Sequence, residues 1–168
     1  MEITFIQTGG TIDKDYPIRA GSYAFEIGGP AVAKILKLAR PNFRFKIISL
    51  LKKDSLDLSD SDRELIYHAA KTTQAKKIVI THGTDTMVRT AKKLSTIEGK
   101  TIVLTGAMLP DTFKQSDAMF NVGLAVGAIE TLSPGVYIAM SGRIYPWQQC
   151  EKSVKTVKFV YKAGRHVS

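Results

Sequence analysis

The sequence holds one cysteine, Cys150, so no disulfide can form within the chain. A chain of 168 residues can bury a core without such a staple, and a lone thiol fits a reducing compartment. No apolar run approaches the roughly 20 residues that a membrane-spanning helix needs. Met1-Glu2-Ile3 leads into an apolar run without the basic and apolar regions of a signal peptide, so a cytoplasmic location is expected. Acid is absent beyond Glu151, against Lys152, Lys155, Lys158, Lys162 and Arg165. The net charge of +9 is therefore partly local, and this stretch reads as a solvated, lysine-bearing tail. Basic chains attract nucleic acid. Here no nucleic-acid module is recognisable and aromatic residues do not interleave with basic ones for stacking. Neither a nucleic-acid nor a membrane partner is expected. His68, His82, His166 and Cys150 do not form a ligand cluster, so the expectation is no metal and no cofactor.

A hydrophobic fraction of 44% and a charged fraction of 23% are those of a globular domain. The length suits one domain over residues 1–168. Five short runs are nearly continuous in apolar character: Ile3–Gln7, Phe45–Leu51, Lys77–Thr81, Thr101–Thr105 and Val136–Met140. Such runs suit strands covered on both faces. Helical patterns lie between them. Val32, Ile35, Leu36 and Ala39 share a face that ends before Pro41. Ser59-Asp60-Ser61-Asp62 reads as a capping box ahead of Leu65, Ile66, Ala69 and Ala70. Met87, Val88, Ala91 and Leu94 give another face, and Ser116–Leu132 is rich in alanine and glycine, as close packing of a helix on a sheet requires. Alternating strands and helices predict an open three-layer α/β fold, doubly wound and mainly parallel, of the flavodoxin or Rossmann kind. The glycine- and proline-bearing segment 13–29 has no period, and an irregular stretch of that length reads as a functional lid.

In open α/β sheets the ligand lies beyond the carboxyl ends of the strands. That rule selects Thr8-Gly9-Gly10-Thr11, His82-Gly83-Thr84-Asp85 and Gly106-Ala107-Met108. Glycines let the main chain approach a ligand and offer N–H groups to an oxyanion. A threonine nucleophile must be activated by a base or a polarising cation. His82, a lysine or a tyrosine could serve, and spacing alone does not choose among them. The blander alternative is that Thr11 and Thr84 only satisfy turn backbone.

Thr8-Gly9-Gly10-Thr11-Ile12 and Thr81-His82-Gly83-Thr84-Asp85-Thr86-Met87 resemble the two signatures of the L-asparaginase family. Leu104-Thr105-Gly106-Ala107-Met108 and Phe120-Asn121 are similar to further family features. The resemblance runs from residue 3 to about residue 152 and implies an asparaginase N-terminal-domain fold. It implies Thr11 as nucleophile on the side-chain amide, assisted by Tyr23 in the glycine-rich segment. It implies Thr84, Asp85 and Lys152 as a second triad, with Asp85 also holding the substrate's α-ammonium group. Ser55 would bind the α-carboxylate, and main-chain groups of Gly10 or Thr11, with Gly83 and Thr84, would line the substrate and oxyanion positions. The Ala107 carbonyl would receive the amide nitrogen. The implied reaction is two-step acyl transfer from L-asparagine, giving ammonia and aspartate.

Two departures from the family pattern stand out. Full-length asparaginases carry a second α/β domain, whereas this chain is similar to short single-domain bacterial forms, which implies a homodimer or larger homo-oligomer. Leu56 stands where many members have a polar residue, which implies weaker substrate binding. Competing readings are a non-catalytic amino-acid sensor, a flavodoxin-like nucleotide binder using Thr8–Thr11 as a phosphate loop, and hydrolysis of another small amide. Cys150, Tyr145 and Trp147 read as packing residues, and Asp111, Lys114 and Asp117 as solvated.

Overall fold

Side chains alternate across a strand, and here that alternation sorts the core into two layers. In the computed structural model, which describes residues 2–16 and 24–162, the elements in chain order are β1 (Glu2–Gly9), β2 (Lys14–Asp15), β3 (Glu26–Ile27), α1 (Ala31–Ala39), β4 (Arg44–Lys53), α2 (Asp60–Thr72), β5 (Lys77–Thr81), α3 (Met87–Leu94), β6 (Thr101–Thr105), α4 (Ala118–Thr131), β7 (Gly135–Met140), β8 (Arg143–Pro146), β9 (Cys150–Lys152) and β10 (Phe159–Tyr161). Ile6, Ile78, Ile80, Ile102, Leu104, Ile138 and Met140 face α2 and α3. Ile3, Phe5, Val79, Val103 and Ala139 face α1 and α4. The result is a sheet between two helical layers.

Among the described residues the main sheet has the order β4-β1-β5-β6-β7-β8. Pairing is parallel from β4 to β7, and β8 runs antiparallel to β7. Counted over the parallel strands this is the flavodoxin-like order, which reverses direction between β1 and β5. The crevice at that reversal lies between the loops after Gly9 and after Thr81.

Local sequence explains most boundaries. Ser59 caps α2 by accepting from the Asp62 amide at 3.1 Å, and the Asp62 carboxylate accepts from the Ser59 amide at 2.8 Å, closing the expected capping box. Helix α1 ends where Arg40 turns left-handed at φ 47, just before Pro41. In α4 the sheet contact is made by Ala118, Ala125 and Ala128, while Gly123 and Gly127 face open space. The alanines, not the glycines, set that helix against the sheet.

Two sequence expectations are corrected. β4 is an edge strand, and Ile47, Ile48, Leu50 and Leu51 are only partly buried rather than covered on both faces. The tail is not simply solvated: β10 pairs with β9, Phe159 is buried, and the Tyr145 hydroxyl donates to the Phe159 carbonyl at 2.9 Å. Tyr145 and Cys150 lie in the core, and Trp147 packs against it.

Candidate active site

Glycine makes the rim possible. Gly9 and Gly10 adopt φ of 107 and 89, a left-handed region costly for other residues. A Cβ on Gly9 would lie 2.4 Å from the Lys53 carbonyl oxygen, and one on Gly10 2.4 Å from the Gly83 Cα. The Gly10 amide donates to the Lys53 carbonyl at 2.9 Å. A Cβ on Gly83 would meet Ser55, and one on Gly106 would lie 2.3 Å from the His82 carbonyl oxygen. Loops from β1, β4, β5 and β6 are thus in main-chain contact, so Thr11 and Thr84 each stand one residue from the Gly10–Gly83 contact.

Lys152, on β9, reaches this rim from far along the chain. Its Nζ donates to Thr84 Oγ1 at 2.8 Å and to Asp85 Oδ1 at 2.5 Å. The lysine side chain is 16% exposed and the aspartate 45%. A cation on the Thr84 hydroxyl oxygen favours its deprotonated form and leaves the hydroxyl proton free to be given away. The resemblance implied Thr84, Asp85 and Lys152 as one group, and these three side chains are within hydrogen-bond reach of one another through the Lys152 ammonium.

Ser55 opens a 3-10 turn, Ser55–Asp57, with Asp54 as its N-cap. It has no exposed surface, and its Oγ accepts from the Asp85 amide at 3.2 Å. The Thr86 hydroxyl donates to the Ser55 carbonyl at 2.7 Å and accepts from Arg63 at 3.0 Å. Ser55 is therefore a brace for Asp85. Neither Thr86 nor Arg63 carried a signal in the sequence beyond a hydroxyl in the second motif and a basic residue on a helix. Leu56, beside Ser55, is 72% exposed.

His82 is excluded as the base. It is fully buried, with Nδ1 2.7 Å from the Gly83 carbonyl oxygen and Nε2 2.8 Å from the Thr90 hydroxyl. Nδ1 donates to the carbonyl, and Nε2 accepts from Thr90. Burial pushes its pKa down to about 4, so it is a neutral strut between the β5 loop and α3.

The β6 loop is held from behind. Asn121 is fully buried; its Nδ2 donates to the Gly106 carbonyl at 3.0 Å and to Asp117 at 2.8 Å, and its Oδ1 accepts from the Ser141 amide at 3.0 Å. Asp117 accepts from the Met108 amide at 2.9 Å and the Leu109 amide at 3.1 Å. Asp117 is thus structural rather than solvated, and Asp111 is paired with Lys34 at 3.3 Å. Lys114 is exposed as expected. Ala107 is buried between these supports.

Thr11 begins the 3-10 turn Thr11–Asp13 and is half-buried. Asp13 ties that turn to the far end of the irregular segment. Its carboxylate Oδ1 accepts from the Ala31 amide at 2.8 Å, and its carbonyl accepts from the Gly28 amide at 2.8 Å. Beyond it, β2 pairs with β3. Asp13 is 3% exposed and, among the described residues, Oδ2 has no partner. Burial, reinforced by the nearby Asp111, pushes its pKa up to about 6. Tyr23 lies outside the described residues. Among the described residues no group of three or more His, Cys, Asp and Glu could hold a metal ion, and no helix is long and apolar enough to cross a membrane.

Residues 2–159 match the family described as Asparaginase, N-terminal. The chain is 35% identical over 153 residues to a glutamyl-tRNA(Gln) amidotransferase component of Methanococcus vannielii, covering 84% of this chain and 34% of the relative. It is 27% identical over 172 residues to a glutaminase-asparaginase of Pseudomonas fluorescens, covering 94% and 47%. Among solved structures, the thermostable L-asparaginase from Thermococcus kodakarensis superposes with a TM-score of 0.78 at 25% identity, covering 100% of this chain and 58% of that one. The chain thus spans from about a third to under half the length of these two curated relatives.

Proposed function

The chain belongs to the asparaginase family, and from that premise we propose that it hydrolyses the side-chain amide of L-asparagine to L-aspartate and ammonia through a threonine-linked acyl-enzyme. The observation that carries this reading is the pairing of Lys152 with both Thr84 and Asp85 beside the Gly10–Gly83 contact. A pocket that only bound an amino acid needs no cation on a buried hydroxyl. A hydrolase does, because a hydroxyl is a weak nucleophile and a weak proton donor until it is polarised.

In this mechanism the Thr11 oxygen attacks the side-chain amide carbon, forming a tetrahedral oxyanion. The main-chain N–H of Thr11, with those of the Gly83–Thr84 loop, stabilises that charge, since the Gly10 amide is already given to the Lys53 carbonyl. The C–N bond breaks, the leaving nitrogen takes the threonine proton, and ammonia departs. Water then attacks the β-aspartyl ester, with Thr84 polarised by Lys152 assisting, and Thr11 is regenerated. Asp85 holds the substrate's α-ammonium group with the half of its carboxylate that Lys152 leaves open. Ser55, whose Oγ accepts from the Asp85 amide, braces it and gives its own hydroxyl proton to the substrate's α-carboxylate. Tyr23 assists Thr11, and the Ala107 carbonyl receives the amide nitrogen. No cofactor enters the scheme. Assembly as a homodimer or larger homo-oligomer in the cytoplasm is part of the proposal, with exposed Met119 and Phe120 on α4 as apolar surface available for it.

Hydroxylamine tests the acyl-enzyme. With L-asparagine it is expected to divert product to aspartyl hydroxamate in wild type, and Thr11→Ala is expected to form neither hydroxamate nor aspartate. Aspartate released at full rate with no hydroxamate would mean direct attack by water. A second reading, favoured by the identity to the amidotransferase component, is that the same site releases its nitrogen to an acceptor on another protein. Ammonia release by the isolated chain far below its rate of amide binding would favour that reading.

A further inference from the structure

We propose that Arg63, acting through Thr86 and Ser55, is the positioning residue that aims Asp85 at the α-ammonium group of an amino-acid substrate, and so sets specificity for amino acids over their deaminated analogues. The inference rests on the functional reading above. Arg63 is 3% exposed on α2. Its NH1 donates to the Leu58 carbonyl at 2.7 Å and the Ser59 carbonyl at 3.1 Å, and its NH2 donates to the Thr86 hydroxyl at 3.0 Å. Among the described residues its Nε is buried without a partner. The Asp60 carboxylate 3.6 Å away is 79% exposed and well screened. A buried guanidinium so compensated is a poor source of stability. Its return is in geometry.

The hydroxyl of Thr86 has one proton, and the Ser55 carbonyl takes it at 2.7 Å. The oxygen must therefore accept from Arg63, which fixes the direction of the whole run. Ser55 in turn holds the Asp85 amide at 3.2 Å, thirty residues along the chain. Gly83 allows this, because any side chain there would collide with Ser55. The Asp85 main chain is thus held from α2, while its carboxylate is held from β9 by Lys152 at 2.5 Å. Arg63 touches no substrate. It sets where Asp85 stands.

The test compares L-asparagine with succinamic acid, which is asparagine without the α-amine, in wild type, Thr86→Val, Thr86→Ser and Arg63→Gln. Thr86→Val is expected to raise KM for L-asparagine roughly tenfold, with kcat changed by less than about threefold. Its kcat/KM for succinamic acid is expected to stay near wild type, so the preference for asparagine falls by the same factor. Thr86→Ser keeps the hydroxyl and is expected to restore the preference. Arg63→Gln is expected to resemble Thr86→Val; if it fails to fold, the valine–serine pair decides alone. Thr86→Val with a lowered melting temperature and an unchanged asparagine-to-succinamate ratio overturns the proposal and leaves the functional reading intact. Wild type that turns over neither compound overturns both.

Discussion

The two loops that meet at the carboxyl edge of the sheet are held in opposite ways. The loop after β5 is fixed by side chains brought from elsewhere: Ser55, Arg63 through Thr86, Thr90 through His82, and Lys152. The loop after β1 is fixed where it meets the β5 loop by the absence of side chains, through Gly9 and Gly10 pressed on main chain, and only beyond Thr11 by a side chain, Asp13. Side-chain braces place charge accurately and fail through loss of a bond. Glycine contacts place main chain accurately and fail through gain of a methyl group. A site needing both an aimed cation and an aimed oxyanion hole can use one of each.

The largest effect is expected from removing the cation. Lys152→Met is predicted to lower turnover by about 10²–10⁴, while the melting temperature moves by only a few degrees because the partly exposed pair adds little stability. Turnover within tenfold of wild type would break the claim that the side-chain loop carries polarisation. Gly10→Ala probes the other loop. At φ 89 and ψ −175 the backbone is in a region essentially confined to glycine, so alanine there costs on the order of 1–3 kcal/mol before the collision with Gly83 is counted. The melting temperature is predicted to fall by at least about 3 °C. Gly123→Ala, in open helical space, is the control and is predicted to stabilise by roughly 0.5–1 kcal/mol. Equal losses at both glycines would erase the contrast.

Two buried titrating groups, one under each loop, give opposite pH dependences. His82 has a folded pKa of about 4. The unfolded chain therefore binds its proton more readily, and stability is lost as pH falls from about 6.5 toward 4. Asp13, with a folded pKa of about 6, does the reverse. Its protonated form favours the fold, and that contribution is lost as pH rises from about 4 through 6. Each is worth on the order of 3 kcal/mol at its limit. Asp13→Asn is predicted to steepen the gain in stability between pH 4 and 6.5 seen by chemical denaturation, and His82→Gln to reverse its sign. Parallel profiles for both variants would show that neither group titrates as its burial requires. The smallest effect is expected at exposed Leu56, where Leu56→Gln offers the substrate new hydrogen bonds. One such bond at about 0.5–1.5 kcal/mol predicts a two- to tenfold lower KM, and an unchanged KM would show that this position does not face the substrate.

The fold was largely legible because its signals are local. The nearly continuous apolar runs, the Ser59–Asp62 capping box and the stop before Pro41 each work within a few residues. β8, β9 and β10 were not legible, since such short strands of mixed polarity carry no period and gain their burial from core residues far off in the chain, through Ile144, Tyr145, Cys150 and Phe159. At the site, the residues after each strand followed from the rule for parallel sheets. Lys152 followed from resemblance alone, because nothing in its neighbourhood points to Asp85, 67 residues away. Arg63 and Asp117 escaped for the same reason: each looks like an ordinary polar residue until its partners are assembled in space, and Asn121, noticed by resemblance, had no role until then.

The most direct test of a two-threonine amidohydrolase is ammonia release from L-asparagine, L-glutamine and D-asparagine by wild type, Thr11→Ala and Thr84→Ala. Turnover of L-asparagine by wild type is expected, with its loss in both variants, each still folded. Absence of turnover in wild type, with asparagine or aspartate still raising its melting temperature, would contradict it and leave a pocket that binds an amino acid without hydrolysing it.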